Sequence, residues 1–216
     1  MERLRDVMEA YEAISRAYPE TREGGALARA LLNEVGDVIR HLTPRLVLDI
    51  GPGAGDNLRI LRAFLSNSFY IGCELSMGMI RVSKESIEWI NCSGTHIPIK
   101  LGSADLIISI AALHHVPRSL MGYVLREAHE VLRPGGLFIA TVWGCNEATL
   151  RRLRRIDGCE GYITWSYGVN KSIARYYRLY REGELEGEVS SAGFTIIRSG
   201  IIRLGSFVNY YIVSHK

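Results

Sequence analysis

Apolar residues recur along the chain with two different periods. Residues 4–18 and 25–42 carry apolar side chains at helical spacing, which predicts two amphipathic helices at the N-terminal end, separated by glycines. From residue 45 onward, short and almost wholly apolar runs alternate with further helical stretches. Such runs are typical of strands that are buried on both faces, as in a parallel sheet.

Strands and helices are therefore expected to alternate about five times. The predicted strands cover 45–50, 69–73, 93–97, 104–112 and 137–143, and the predicted helices between them cover 56–65, 76–90 and 119–132. This alternation predicts an α/β fold with a parallel sheet and helices on both faces.

The pattern changes after residue 145. A basic and aromatic stretch at 151–181 leads to a predicted helix at 182–192. Two strands follow at 194–203 and 207–215, with no helix between them. They should form a hairpin, so the prediction is a mostly parallel, seven-stranded sheet with an antiparallel last strand.

Length and composition suit one soluble globular domain. The 216 residues are 47% apolar and 23% charged, which is enough to bury a substantial core without metals or disulfides. We expect a single domain over 1–216, with N-terminal helices at 1–42, a core at 43–145 and a basic, aromatic segment with the terminal hairpin at 146–216.

We expect neither export nor membrane insertion. The N-terminal MERLRDVMEA has no apolar signal region, and the longest apolar runs are far shorter than the ~20 residues of a membrane span. The chain has four cysteines, Cys73, Cys92, Cys145 and Cys159, which lack CxxC and zinc-ligand spacing. Three of them lie in or beside predicted strands, and we interpret these as small buried thiols. This interpretation favours a reducing, cytoplasmic setting.

Charge is distributed unevenly along the chain. The net charge is only +3, but residues 1–144 carry −1 and residues 145–216 carry +4. The excess comes from Arg151, Arg152, Arg154, Arg155, Lys171, Arg175, Arg178 and Arg181. Two interpretations stay open, a solvated surface and a surface that contacts phosphates.

The strongest chemical signal is a glycine-rich turn directly after the first strand. It reads Asp49-Ile-Gly51-Pro-Gly53-Ala-Gly55, and Glu74 ends the next strand 25 residues after Asp49. The G-x-G-x-G spacing departs from the dinucleotide fingerprint, and acidic Asp56 would serve a diphosphate poorly at a helix N-terminus. A cationic ligand with an amino acid tail fits these carboxylates better, and Glu74 can accept ribose hydroxyls. A tight strand–helix turn without a ligand is the structural alternative.

These segments resemble the class I methyltransferases that use S-adenosylmethionine, which have a Rossmann-like fold. LVLDIGPGAG, GCELS, SADLIISIAALHHV and VLRPGGLFIATVW carry the resemblance. The resemblance implies that 43–145 is the cofactor-binding core. The residues it assigns to the cofactor are Asp49, Gly51, Gly53, Gly55, Asn57, Glu74, Leu75, Ser93, Gly94 and Ala111. Ser93 and Gly94 stand where the family often has an Asp-Ala pair that contacts adenine.

A second group of residues bears on the substrate that accepts the methyl group. His114 and His115 follow the fourth strand, where neither the Asn/Asp-Pro-Pro-aromatic group of base amine methylation nor a Pro-Cys nucleophile is present. Such a pair resembles small-molecule methyltransferases and one tRNA branch. Ile163-Thr-Trp165 and Arg175-Tyr-Tyr-Arg-Leu-Tyr-Arg-Glu-Gly-Glu-Leu185 are similar to the tRNA wobble-uridine carboxymethyl methyltransferases, which include part of the AlkB-homologue fusion enzymes. The alternative for this last segment is an aromatic-rich helix that covers the sheet.

The resemblance implies methyl esterification of 5-carboxymethyluridine at the tRNA wobble position. The candidates for placing the base and its carboxylate are Arg22, His114, His115, Trp165, Arg175 and Tyr176. Expected partners are the tRNA anticodon loop and a small zinc-binding activator that pairs with an edge near residues 92–99, with no membrane, DNA or metal ligand. Two alternatives stay open: a quinone- or lipid-type small-molecule methyltransferase, and a catalytically silent RNA-binding or activator subunit.

Overall fold

Glycines and buried apolar runs divide the chain into alternating elements. The computed structural model describes residues 2–19 and 25–216. Within them the strands are β1 (Leu46–Ile50), β2 (Phe69–Glu74), β3 (Glu88–Asn91), β4 (Ala104–Ile110), β5 (Leu132–Trp143), β6 (Leu153–Asp157), β7 (Glu160–Trp165), β8 (Ile173–Arg178), β9 (Thr195–Leu204) and β10 (Phe207–His215). The helices are α1 (Glu2–Ile14), α2 (Ala26–Ile39), α3 (Asp56–Phe64), α4 (Met77–Val82), α5 (Arg118–Val131), α6 (Glu147–Leu150) and α7 (Glu184–Ser191).

Seven of the described strands form one sheet in the order β3-β2-β1-β4-β5-β10-β9. β1 to β5 are parallel, and β10 is antiparallel to both β5 and β9. Leu31, Val35 and Leu61 pack on one face of the sheet, and Leu125 and Val189 pack on the other. The predicted α/β fold, with an antiparallel last strand and helices on both faces, is confirmed.

A second, three-stranded antiparallel sheet (β6-β7-β8) forms within the basic and aromatic segment. The aromatic-rich helix considered for residues 175–185 is wrong at its start, because β8 pairs with β7 through Tyr162 and Tyr176, whose ring centroids lie 6.0 Å apart. Helix α1 contacts this sheet. The Tyr162 hydroxyl donates to Asp6 at 3.0 Å, and Arg3 lies 3.0 Å from Glu160.

The third strand differs from its predicted position. It covers Glu88–Asn91 rather than 93–97, and α4 ends at Val82 rather than near residue 90. The reason is packing against β2. A Cβ built on Gly72 would lie 2.9 Å from the Trp89 ring, so the missing side chain admits that ring and sets the pairing. The edge available to a partner strand moves accordingly to β3.

The cysteines are paired, which corrects the prediction of free thiols. Cys73 and Cys92 form one disulfide, and Cys145 and Cys159 form another. The pairs are 19 and 14 residues apart in sequence, which gives no local signal for either, and the fold brings their Cα atoms to 5.4 and 5.9 Å. The inference from thiols to a reducing compartment therefore no longer holds. No helix among the described residues has the length and apolar character needed to span a membrane.

A buried ion pair links the small sheet to helix α7. The Arg178 side chain is fully buried on β8 and donates to Glu188 of α7 and, at 3.2 Å, to the Tyr180 hydroxyl. That hydroxyl donates in turn to Glu188 at 3.1 Å. Glu188 therefore neutralises a cation that has no access to water.

We predict that Glu188→Ala lowers the free energy of unfolding by about 3 kcal/mol, because it leaves the Arg178 charge buried without a partner. Glu147→Ala should change it by less than about 0.5 kcal/mol, because the Glu147–Arg151 pair is exposed. Chemical denaturation measures both. Equal effects of the two substitutions would contradict a structural role for the buried pair.

Candidate active site

A cavity of about 570 Å³ opens at the carboxyl ends of β1 and β4. The strand order changes direction at this point, and open α/β sheets bind their ligands there. The volume is typical of a small-molecule site. One part of the wall comes from the loops after β1, β2 and β3, and another comes from α1, β5 and β10.

The glycine turn after β1 brings backbone to the cavity surface. Gly51 has φ of 74° and Gly53 has φ of 61°, which are left-handed conformations that favour glycine. A Cβ on Gly51 would lie 2.6 Å from the Ala112 Cβ, whereas a Cβ on Gly53 would meet no atom within 4 Å. Gly53 therefore offers bare backbone to a ligand. Gly55 does not line the cavity, and instead precedes α3 with φ of 95°.

Two carboxyl groups lie at the base of this turn. Asp49 is 1% exposed, and its Oδ1 has no hydrogen-bond partner. Glu74 lines the cavity and accepts from the backbone N–H groups of Gly53 and Ser76, each at 2.9 Å. Burial raises the pKa of Glu74, and burial together with the Glu74 charge raises the pKa of Asp49 well above its usual value. Asp49 itself does not line the cavity, but its chain neighbours Ile50 and Gly51 do, and an unpartnered carboxyl in this position favours a cationic ligand such as S-adenosylmethionine.

Four further predicted cofactor residues, Asn57, Leu75, Ser93 and Gly94, line the same part of the cavity. The Ser93 hydroxyl lies 2.8 Å from the Thr95 hydroxyl, so part of its hydrogen-bonding capacity is used in its own turn. The apolar neighbours here are Leu75, Val116 and Val124. A flat base such as adenine would contact apolar side chains on this side.

Ala111 lies between the two parts of the cavity wall. It is the only non-glycine residue with positive φ in the described ranges, at 57°. Its N–H donates to the Thr141 side chain at 3.0 Å, which holds the end of β4 in this conformation. Backbone held in a sparsely populated region is frequent at functional sites.

The two histidines have different surroundings. His114 is 1% exposed, stacks against both Trp143 and Tyr177, and does not line the cavity. His115 lines it. The Nδ1 of His115 lies 2.7 Å from the Tyr176 carbonyl, which can only accept, so in the neutral ring Nδ1 carries the proton. Nε2 then accepts from the Tyr11 hydroxyl at 2.7 Å.

Arg175 lies directly behind Tyr11. It is 3% exposed, and its guanidinium donates to the Tyr11 hydroxyl at 3.5 Å. Its carbon lies 4.9 Å from the Trp165 ring centroid and 5.3 Å from that of Tyr177, within cation–π range. Among the described residues no carboxylate lies within ion-pair distance of it, and its Nε has no partner. The wall at Tyr11 is therefore backed by a buried positive charge.

The other predicted acceptor residues are only partly brought together. Trp165 stacks on Tyr18 at 5.5 Å and holds Arg175, but does not itself line the cavity. The Tyr176 hydroxyl points elsewhere and donates to Glu160 at 2.8 Å, so Tyr176 acts on the site through its carbonyl. Arg22 lies outside the described residues.

The structure adds residues that were not among the predicted site. Tyr11, Tyr18, Trp143 and Asn209 all line the cavity. Trp143 ends VLRPGGLFIATVW, one of the segments that carry the family resemblance, and this is the one signal that could have selected any of them. Sequence spacing could not, because α1, β5 and β10 meet only through the fold.

The basic segment adjoins the cavity mouth. Phe207 lines the cavity, and the guanidinium carbon of Arg152 lies 5.6 Å from its ring centroid. Arg151, Arg154 and Arg155 are exposed nearby in the chain, on or next to β6. Positive charge thus continues from the entrance onto the surface.

We predict that S-adenosylmethionine binds more tightly as pH rises through the raised pKa of Asp49. A cationic ligand favours the ionised carboxylate, so binding releases a proton, and protonation at lower pH weakens binding. Asp49→Asn should remove most of this pH dependence and weaken binding about 10-fold. Titration calorimetry in buffers of different ionisation enthalpy measures both effects.

Asp37→Asn is the matched control. Asp37 is exposed, and its bond to Arg198 lowers its pKa to about 2, so it should leave binding unchanged. Wild-type affinity that does not vary with pH would contradict the assignment of Asp49.

Comparison with known proteins agrees with this geometry. Residues 48–140 match the family model described as a methyltransferase domain. The tRNA (carboxymethyluridine(34)-5-O)-methyltransferase of Schizosaccharomyces pombe is 26% identical over 192 residues, 78% of this chain and 80% of that protein. The mouse tRNA (carboxymethyluridine(34)-5-O)-methyltransferase ALKBH8 is 32% identical over 104 residues, which are 47% of this chain and only 15% of that longer protein.

A solved structure extends the likeness to the whole fold. The 1,6-didemethyltoxoflavin-N1-methyltransferase of Burkholderia thailandensis, with bound S-adenosylhomocysteine, superposes with a TM-score of 0.69 at 19% identity, covering 100% of this chain and 88% of that one. Residues 48–140 therefore form a methyltransferase domain, the chain has the fold of S-adenosylmethionine-dependent methyltransferases, and its sequence is similar to those of the tRNA carboxymethyluridine methyltransferases.

Proposed function

We propose that this protein methylates the carboxylate of 5-carboxymethyluridine at the wobble position of tRNA and forms its methyl ester. The observation that carries the proposal is the buried Arg175 guanidinium, which has no carboxylate partner among the described residues. A charge in that position is stabilised when an anion enters the adjoining cavity. An acceptor carboxylate supplies that anion at the wall formed by Tyr11 and His115.

A carboxylate acceptor also fits the residues of the cavity wall, because its methylation makes few chemical demands on them. It is ionised at neutral pH, so no strong general base is needed. S-adenosylmethionine supplies an electrophilic methyl group on a sulfonium. An ionised carboxylate only accepts hydrogen bonds, so the Tyr11 hydroxyl is the group that can donate to it, and the surrounding aromatic side chains exclude its hydration water.

The tRNA part of the proposal rests on the cavity mouth and on the relatives. Arg152 over Phe207 can hold a backbone phosphate while an unstacked base enters the aromatic cavity. Arg151, Arg154 and Arg155 extend this basic surface. The Schizosaccharomyces pombe relative, named for this reaction, is similar over most of the chain, including part of the tail.

The proposal includes a small zinc-binding activator protein, which rests on the family resemblance. β3 is the outermost strand on its side of the sheet, with an edge that no strand of the described residues pairs. Such an edge can accept a strand from a partner. Full activity of the monodisperse chain without any added protein would remove the activator from the proposal.

We predict that labelled S-adenosylmethionine transfers its methyl group to bulk tRNA, and that alkali removes the label because the product is an ester. The assay is run with and without the activator protein. Alkali-stable label in tRNA would contradict a carboxylate acceptor. No label in tRNA, with cofactor binding established, would favour a quinone- or lipid-type small molecule, and failure to bind cofactor would favour a silent subunit.

A charge-reversal pair provides the control for RNA binding. Arg154→Glu with Arg155→Glu should weaken tRNA methylation and reduce its steep loss with salt, and should leave cofactor affinity unchanged. Arg126→Glu on α5 is equally exposed and lies outside the basic segment, so it should have little effect. Equal effects of the two changes would argue against a phosphate-contacting surface.

A further inference from the structure

The Asn209 side chain is a polar group that the proposed reaction does not yet use. It is 3% exposed, and its Oδ1 has no hydrogen-bond partner. Buried amides are nearly always hydrogen-bonded, because burial without a partner costs free energy. Asn209 also lines the cavity, so a bound ligand can supply the missing partner.

The position of Asn209 separates it from the cofactor residues. It lies on β10 and pairs directly with Trp143 of β5, so the two side chains share one face of the sheet. β10 and β5 lie on the other side of β4 from β1 and β2, which carry Asp49 and Glu74. The amide therefore faces the acceptor part of the cavity.

Aromatic side chains surround this part of the cavity. The ring centroids of Trp143 and Phe207 lie 6.2 Å apart with their planes inclined by 34°, and both residues line the cavity. Flat apolar surfaces of this kind accept an unstacked nucleobase. A base placed there would present its polar edge to whatever hydrogen-bonding group lies beside the rings, and Asn209 is such a group.

An amide offers an acceptor and a donor side by side. The imide edge of uracil offers a donor, N3–H, next to an acceptor, a ring carbonyl oxygen. Resting on the proposed function, we infer that Asn209 is a specificity-determining residue that reads the imide edge of the acceptor uridine. Its Oδ1 accepts from N3–H, and its Nδ2 donates to the neighbouring carbonyl. Two such bonds are worth about 10- to 100-fold in discrimination.

The test uses synthetic anticodon stem-loops with 5-carboxymethyluridine or its N3-methyl derivative. Methylation at N3 removes the donor and leaves the acceptor carboxylate intact. The wild-type protein should methylate the blocked loop about 10- to 100-fold less efficiently in kcat/KM. Asn209→Ala should lower kcat/KM for the unblocked loop and lose most of that discrimination, with unchanged affinity for S-adenosylmethionine.

The variants keep folding separate from recognition. Asn209→Ala removes no hydrogen bond from Oδ1, so thermal unfolding should change little. Asn209→Asp keeps the shape of the side chain and replaces the donor by a charge, so it should also lower kcat/KM for methylation of the unblocked loop. Tyr210→Phe is the matched control, because the next residue of β10 points to the opposite face and does not line the cavity.

Each outcome distinguishes the inference from the function on which it rests. Equal discrimination by the wild-type protein and Asn209→Ala, with methylation of the unblocked loop intact, overturns the role of Asn209 and leaves the proposed function standing. Absence of methylation of the unblocked loop by the wild-type protein overturns both. Loss of cofactor affinity in Asn209→Ala would assign the amide to the cofactor instead and overturn the inference.

Discussion

Two buried ionisable groups that lack an oppositely charged partner among the described residues are the constraint on which this site depends. Asp49 and Arg175 are both nearly excluded from water, and among the described residues neither has an oppositely charged side chain within ion-pair distance. Such burial costs free energy that the rest of the fold must offset. A cationic cofactor at the acid and an anionic acceptor at the cation would relieve both costs, so the two charges define which ligands the cavity favours.

The topology of the fold places the acidic groups and the buried cation on different sides of the cavity. The strand order reverses between β1 and β4, and the turns on either side leave one cavity between them. Asp49 lies within β1 and Glu74 ends β2, whereas β8 and α1 bring Arg175 and Tyr11 to the other side. The buried Arg178–Glu188 pair, by contrast, is neutralised within the protein and fastens β8 to α7. Of two buried arginines three residues apart, Arg178 is thus paired within the protein, and we propose that Arg175 acts on a ligand.

The cofactor half could be predicted from sequence because its signals are local. The apolar strand, the glycine turn and Glu74 lie close together in the chain, and their geometry follows from a strand that ends at a turn. The acceptor half depends on contacts across long separations, such as Tyr11 with His115, which no periodicity reveals. Tyr176 is an example of what sequence could not predict: its backbone carbonyl orients His115, whereas its hydroxyl donates to Glu160. The disulfides and the position of β3 were missed for the same reason.

Substitution of Arg175 tests the central claim most directly, with acceptor and cofactor binding measured separately. Arg175→Gln should raise KM for the tRNA acceptor and lower kcat/KM about 100-fold, because the buried cation behind Tyr11 is lost. Arg175→Lys should keep part of the wild-type kcat/KM, and cofactor affinity should remain unchanged in both variants. Unchanged kcat/KM in a folded Arg175→Gln protein, or a loss confined to cofactor binding, would contradict the account.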